Sequence, residues 1–115
     1  MKNKLTVFFL VFAVVLPGIG LAASAEDNYK TYCWQCHGMQ GDGMGVNVRD
    51  MSVQPRDHTS AKAMRSRSDA DLFKVIKHGG LAIDKSVLMP PWDATFTDQE
   101  IHELVAYLRE LCQCR

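Results

Sequence analysis

The run Cys33-Trp34-Gln35-Cys36-His37 constrains this chain more than any other stretch of it. Two thiols at C-x-x-C spacing with a histidine directly behind them form the attachment pattern of a c-type haem. The thiols can add to both vinyl groups of one porphyrin, and the imidazole is placed to ligate the iron. Two other uses of such a pair fit less well. A zinc site needs two further ligands at a matching spacing, and the remaining cysteines, Cys112 and Cys114, stand too close together to copy it. A thioredoxin-like pair sits between a strand and a helix of a βαβ unit, a pattern this sequence lacks. The expected cofactor is one covalently attached haem c with its iron.

Met1 to Ala25 has the layout of an export signal: Lys2 and Lys4 at the start, an apolar run from Leu5 to Val15, and small residues at Ala23-Ser24-Ala25. Pro17, Gly18 and Gly20 interrupt the apolar stretch before it reaches the roughly 20 residues that span a bilayer, which disfavours a retained anchor. The expected division is a signal peptide over 1–25, cleaved before Glu26, and one mono-haem domain over 26–115, in a periplasmic or otherwise exported location. A domain of 90 residues has a limited core of its own, and a bound porphyrin would supply much of what it lacks. It carries eleven Lys and Arg against thirteen Asp and Glu, a formal charge of −2, which does not suggest a nucleic-acid partner.

No segment of this domain alternates with the period of two that marks a half-buried strand, so the expected class is all-α. A short helix is expected from Glu26 to about Cys36, opened by acidic residues that suit a helix N-terminus. From Gly38 to Arg67, Gly41, Gly43, Gly45 and Pro55 break any periodicity and predict a long loop. Ser68 with Asp71 three residues on starts a second helix whose apolar face is Leu72, Val75 and Ile76, and Gly79-Gly80 stops it. Leu81 to Phe96, with Pro90-Pro91, reads as rigid and non-helical. Thr97-Asp98-Gln99-Glu100 is a capping box, and Ile101, Leu104, Val105, Leu108 and Leu111 recur at helical spacing behind it.

What binds the other face of the iron decides the chemistry. The candidates are Met39, Met44, Met51, Met64, Met89, His58, His78, His102 and the two late cysteines. Met39 follows His37 too closely, and Met44 lies among glycines that define no rigid position. Met89 lies in an apolar stretch, and the Pro90-Pro91 behind it lowers the entropy cost of presenting a thioether. A core-filling methionine is the plain alternative. His58 lies in a polar loop, His78 at a helix end, and His102 off the apolar stripe of its helix.

As a set, the haem motif with Gly38, Gly41-Asp42-Gly43, Pro55-Arg56-Asp57, Met89-Pro90-Pro91-Trp92 and Thr97-Asp98-Gln99-Glu100-Ile101 leading into Leu104-Val105-Ala106-Tyr107-Leu108 resembles the small class I cytochromes c of bacteria. The resemblance covers nearly all of the chain after the signal. It implies short helices wrapped around one covalent haem, with the first and last helices packed together. It also implies Cys33 and Cys36 as thioether sites, His37 as proximal and Met89 as distal ligand, and the Pro55 carbonyl as acceptor for His37. Arg56 and Trp92 are candidates for hydrogen bonds to the haem propionates, since buried charges need partners.

Iron closed by His37 and Met89 leaves no position for a substrate, so the expectation is a non-enzymatic carrier of single electrons. Its partners would be redox proteins that dock weakly at the exposed haem edge. No small-molecule substrate is expected. Arg49, Arg56, Lys62, Arg65 and Arg67 outnumber Asp50 and Asp57, while Asp98, Glu100, Glu103 and Glu110 outnumber Arg109, a polarity that can orient an encounter. Cys112 and Cys114, which the family pattern does not need, are expected not to pair easily with each other. They would instead form an intermolecular disulfide, remain exposed thiols or, less readily, ligate the iron. Two other functions stay open: a reactive or gas-binding haem with an open or non-Met distal site, and a haem subunit of a larger oxidoreductase complex.

Overall fold

The computed structural model describes residues 22–115. Five α-helices are found among them: α1 (Ala25–Tyr32), α2 (Trp34–His37), α3 (Ala61–Arg65), α4 (Asp69–His78) and α5 (Asp98–Leu111). Short 3-10 turns occupy Val48–Asp50 and Gly80–Ile83, and no strand is present among the described residues. Most of the expected signal segment, Met1–Ala25, lies outside them. Its last residues, Ser24 and Ala25, open α1: the Ser24 hydroxyl accepts from the Asp27 amide, and Glu26 and Asp27 complement the positive helix end. No helix among the described residues is long and apolar enough to cross a membrane.

The core is organised by α5. Its capping box is complete, with Thr97 bonded to the Glu100 amide and the Glu100 carboxylate bonded back to Thr97. The spacing behind it buries Ile101, Leu104, Val105 and Leu108, all at most 5% exposed. Each such burial is worth about 1.5–3 kcal/mol relative to exposure. α1 lies against this face, where the rings of Tyr29 and Tyr107 meet at 5.4 Å, so the first and last helices pack together as expected. α4 packs on α5 as well, through Leu72 and Ile76.

α4 shows why the chain needs its prolines. Ser68 and Asp71 form the capping box at its start, and Gly79, with φ 82°, ends it. The amides of Trp92 and Asp93 then donate to the Ile76 and Lys77 carbonyls at 3.0 and 3.2 Å. Pro90 and Pro91 have no N–H, so the first donors after Met89 fall where the helix leaves its last acceptors unpaired. The Gly80 amide also bonds the Met89 carbonyl at 2.9 Å. A rigid, non-helical segment is thereby strapped across the end of α4, broken only by the 3-10 turn.

Two expectations need correction. The stretch 38–67 is not wholly loop: Ser60 caps α3 through the Ala63 amide, and Met64, a candidate distal ligand, is fully buried in the core. The two late cysteines are bonded to each other, not held for a second chain. Gln113 adopts left-handed φ 50°, which turns the chain back and brings the cysteine Cα atoms to 5.1 Å, within the span of a disulfide. Both are buried, so neither sulfur is offered to a partner or to the iron. Nearby, Arg109 pins α5 to the junction of α3 and α4 by donating to the Met64 and Arg67 carbonyls and pairing with Asp69.

Candidate functional site

A cavity of about 380 Å³ lies among α1, α2, the 51–58 segment, α4 and the 83–92 segment. Its size is that of a small-molecule or cofactor site. All seven site residues singled out from the sequence line it: Cys33, Cys36, His37, Pro55, Arg56, Met89 and Trp92. Much of the remaining lining is apolar, including Leu72, Ile76 and Leu104. Of the other candidate ligands only Met51 and His58 reach it; Met39, Met44, His78 and His102 are exposed elsewhere, with His102 tilted against Phe73 at 4.5 Å.

The break between α1 and α2 falls at Cys33, and the single turn of α2 carries Cys36 and His37 into the cavity. Both thiols are free. Burial, and next the neighbouring Cys36, push the Cys33 thiol up to about 12. It therefore stays protonated at neutral pH, which disfavours its oxidation to a disulfide with Cys36.

His37 is held by the carbonyl of Arg56, 3.0 Å from its Nδ1. A carbonyl only accepts, so Nδ1 carries the proton and Nε2 keeps its lone pair free for a metal. Burial lowers the pKa of His37, opposed by that hydrogen bond, so the ring is neutral and able to ligate. The Pro55 carbonyl, expected in this role, instead faces Gly43, where an added Cβ would come within 2.8 Å of it. Gly43, at φ 78°, lets the two loop strands approach so closely and advances the acceptor by one residue. Arg56 is also engaged differently from the expectation: its guanidinium donates to the Ala63 carbonyl at 2.6 Å, closing the loop onto α3.

Met89 is half-buried against the core, its backbone fixed by Gly80 as described. Gly80 admits no side chain, because a Cβ there would run into the Ser86 carbonyl. The Trp92 ring packs edge-on to Tyr32 at 5.6 Å. Two free thiols, a neutral imidazole and a thioether around one largely apolar cavity are a donor set that fits haem c.

Tyr29 is a residue that sequence reasoning missed, and His58, weighed only as a distal ligand in a polar loop, takes a different place. His58 is not in a solvated loop but 8% exposed, its ring stacked on His37 with centroids 4.1 Å apart and planes 18° apart. Its Nδ1 lies 2.9 Å from the hydroxyl of Tyr29, itself 1% exposed. Burial, then His37 and Arg56, holds the His58 pKa well below the ordinary value. The available signal was faint: Tyr29 precedes Cys33 by one helical turn, on the face that leads into the motif.

The family model described as cytochrome c oxidase, cbb3-type, subunit III matches residues 20–108. Cytochrome c-554(547) of Halothiobacillus neapolitanus is 32% identical over 93 residues, which cover 80% of this chain and 98% of that protein. Among solved structures, the KustC0563 c-type cytochrome superposes with a TM-score of 0.62 at 21% identity, covering 77% of this chain and 98% of its own, and so shares the fold. A chain of the Kuenenia stuttgartiensis reducing HAO-like protein complex Kustc0457/Kustc0458 gives 0.59 at 26% identity, over 76% of this chain and 40% of that one. The thiol pair, the cavity and the helical wrap thus find their place in a known group: this chain belongs to the c-type cytochromes, as a class I-like mono-haem electron-transfer protein with covalently attached haem c.

Proposed function

We propose that this chain is an exported shuttle whose iron is ligated by His37 and Met89. Haem c supplies a one-electron couple. The chain's own part is attachment, orientation and exclusion of water. The Cys33 and Cys36 thiols would each hold the porphyrin by adding S–H across a vinyl double bond, a thioether formed with no net oxidation. The Arg56 carbonyl holds His37 with Nε2 free, the strap from Gly80 to Met89 presents the thioether, and the apolar lining keeps water out. Iron held by both His37 and Met89 would leave no position for substrate, which supports a carrier without enzymatic activity. The observation that carries this reading is the convergence of Cys33, Cys36, His37 and Met89 on one apolar cavity.

c-type cytochromes of this kind are exported; we place this one in the periplasm, with residues 1–25 removed as a signal. Its partners are redox proteins. The exposed Met44, Val46 and Val53 lie on the loop that follows the haem motif and suit brief, weak docking. A second reading, a haem subunit within a larger oxidoreductase, takes support from the family's description and from the neighbour in the HAO-like complex.

Carbon monoxide tests the ligand set. The folded ferrous protein at neutral pH is expected not to bind it, and the ferric protein to show a methionine-to-iron charge-transfer band. Ready binding without that band would overturn Met89 ligation.

A further inference from the structure

A hydrogen bond at Nδ1 fixes the tautomer of His37, but it leaves the ring nearly free to turn about the line from that bond to the ligand atom Nε2. Something else must set its plane. The flat neighbour stacked on it is His58, at 4.1 Å and 18°. His58 is itself held at three points: the Tyr29 hydroxyl at Nδ1, its backbone amide on the Gly41 carbonyl at 2.6 Å, and burial against Tyr29, whose ring meets its own edge-on at 5.8 Å. Gly41 allows this closeness, since a Cβ there would stand 3.1 Å from the Tyr29 hydroxyl and 3.5 Å from the His58 Cβ.

We propose that His58, anchored by Tyr29, is a positioning residue that sets the plane of the His37 ring by stacking on it, in concert with the Arg56 carbonyl. The proposal rests on the reading of His37 as an iron ligand. It assigns His58 no bond to the iron. The orientation of an axial imidazole governs how unpaired spin is spread over the porphyrin, so the role is visible in the ferric state.

The test uses the haem-loaded protein and proton magnetic resonance of its ferric form, with the midpoint potential measured alongside. His58→Ala is expected to change the order and spread of the shifted haem methyl resonances. It should also lower the potential, because water entering the vacated space favours the more charged ferric site. His58→Phe, which keeps a flat ring, should retain the wild-type order of resonances. Identical spectra for wild type and His58→Ala, or equal changes in both variants, would overturn the proposal. Should the alanine variant not fold, Tyr29→Phe keeps every ring and removes only the anchor: an altered methyl pattern supports the role and an unaltered one overturns it. The ligand reading fails separately, in the wild type alone, if its ferric spectrum shows no imidazole ligand. Two imidazole ligands in the wild type would overturn Met89 ligation, and loss of the second one in His58→Ala would place His58 on the iron and overturn the positioning role.

Discussion

Cys33 and Cys36 differ in surroundings although they serve the same attachment. Cys33 packs against the core, while the Cys36 sulfur lies 3.9 Å from the side-chain amide of Asn47. On the proposed attachment, either thioether alone would hold the porphyrin. Cys36→Ser is therefore expected to keep pigment bound through acid denaturation while its ferrous α band moves to longer wavelength, the mark of one unsaturated vinyl group; pigment lost into acidified solvent would show that Cys33 forms no bond. At this scale the convergence of Cys33, Cys36 and His37 on one cavity was legible, because a haem-attachment motif ties their spacing to the macrocycle. The acceptor for His37 was not. Whether Pro55 or Arg56 offers its carbonyl is a shift of one residue in a loop, decided by the close approach of Gly43, which no local pattern records. The inward turn of His58 was hidden for a similar reason: its polar neighbours Asp57 and Thr59 bond each other and leave it to face the core.

α4 and α5 could be read from the sequence because each carries a capping box and an apolar face of several turns, so local and tertiary preferences agree. α3 could not. Five residues give too little length for periodicity, and it is held by Ser60, Arg56 and Arg109, the last of them 45 residues from the Met64 carbonyl it binds. The strap over α4 depends on one glycine that cannot be replaced cheaply. Gly80→Ala would force the Ser86 carbonyl away and disturb the hydrogen bond from Gly80 to Met89. We expect a loss of roughly 1–3 kcal/mol in chemical denaturation, the usual cost of forcing atoms into a packed site. Carbon monoxide binding should appear with it as the thioether loosens. A variant with wild-type stability and no such binding would show that the strap does not present Met89.

For the whole molecule, the burial of both late sulfurs within one closed ring makes a monomer the expected state under non-reducing conditions. Thiol titration of the denatured, unreduced holoprotein should find no free cysteine, and replacing Cys112 and Cys114 with serine should cost roughly 1–2 kcal/mol, the loop-entropy value for so short a ring. A disulfide-linked dimer would contradict this. The sequence did not disclose the pairing, because it depends on a left-handed Gln113, a conformation that a glutamine does not favour. What the entire chain accomplishes is to bring a motif near residue 35 and a methionine near residue 90 to one largely apolar cavity beside the packed first and last helices. Near-infrared magnetic circular dichroism of the ferric protein tests that directly, because the charge-transfer energy identifies both axial ligands. The account predicts a single low-spin species with the histidine–methionine signature; a bis-histidine or high-spin spectrum would contradict it.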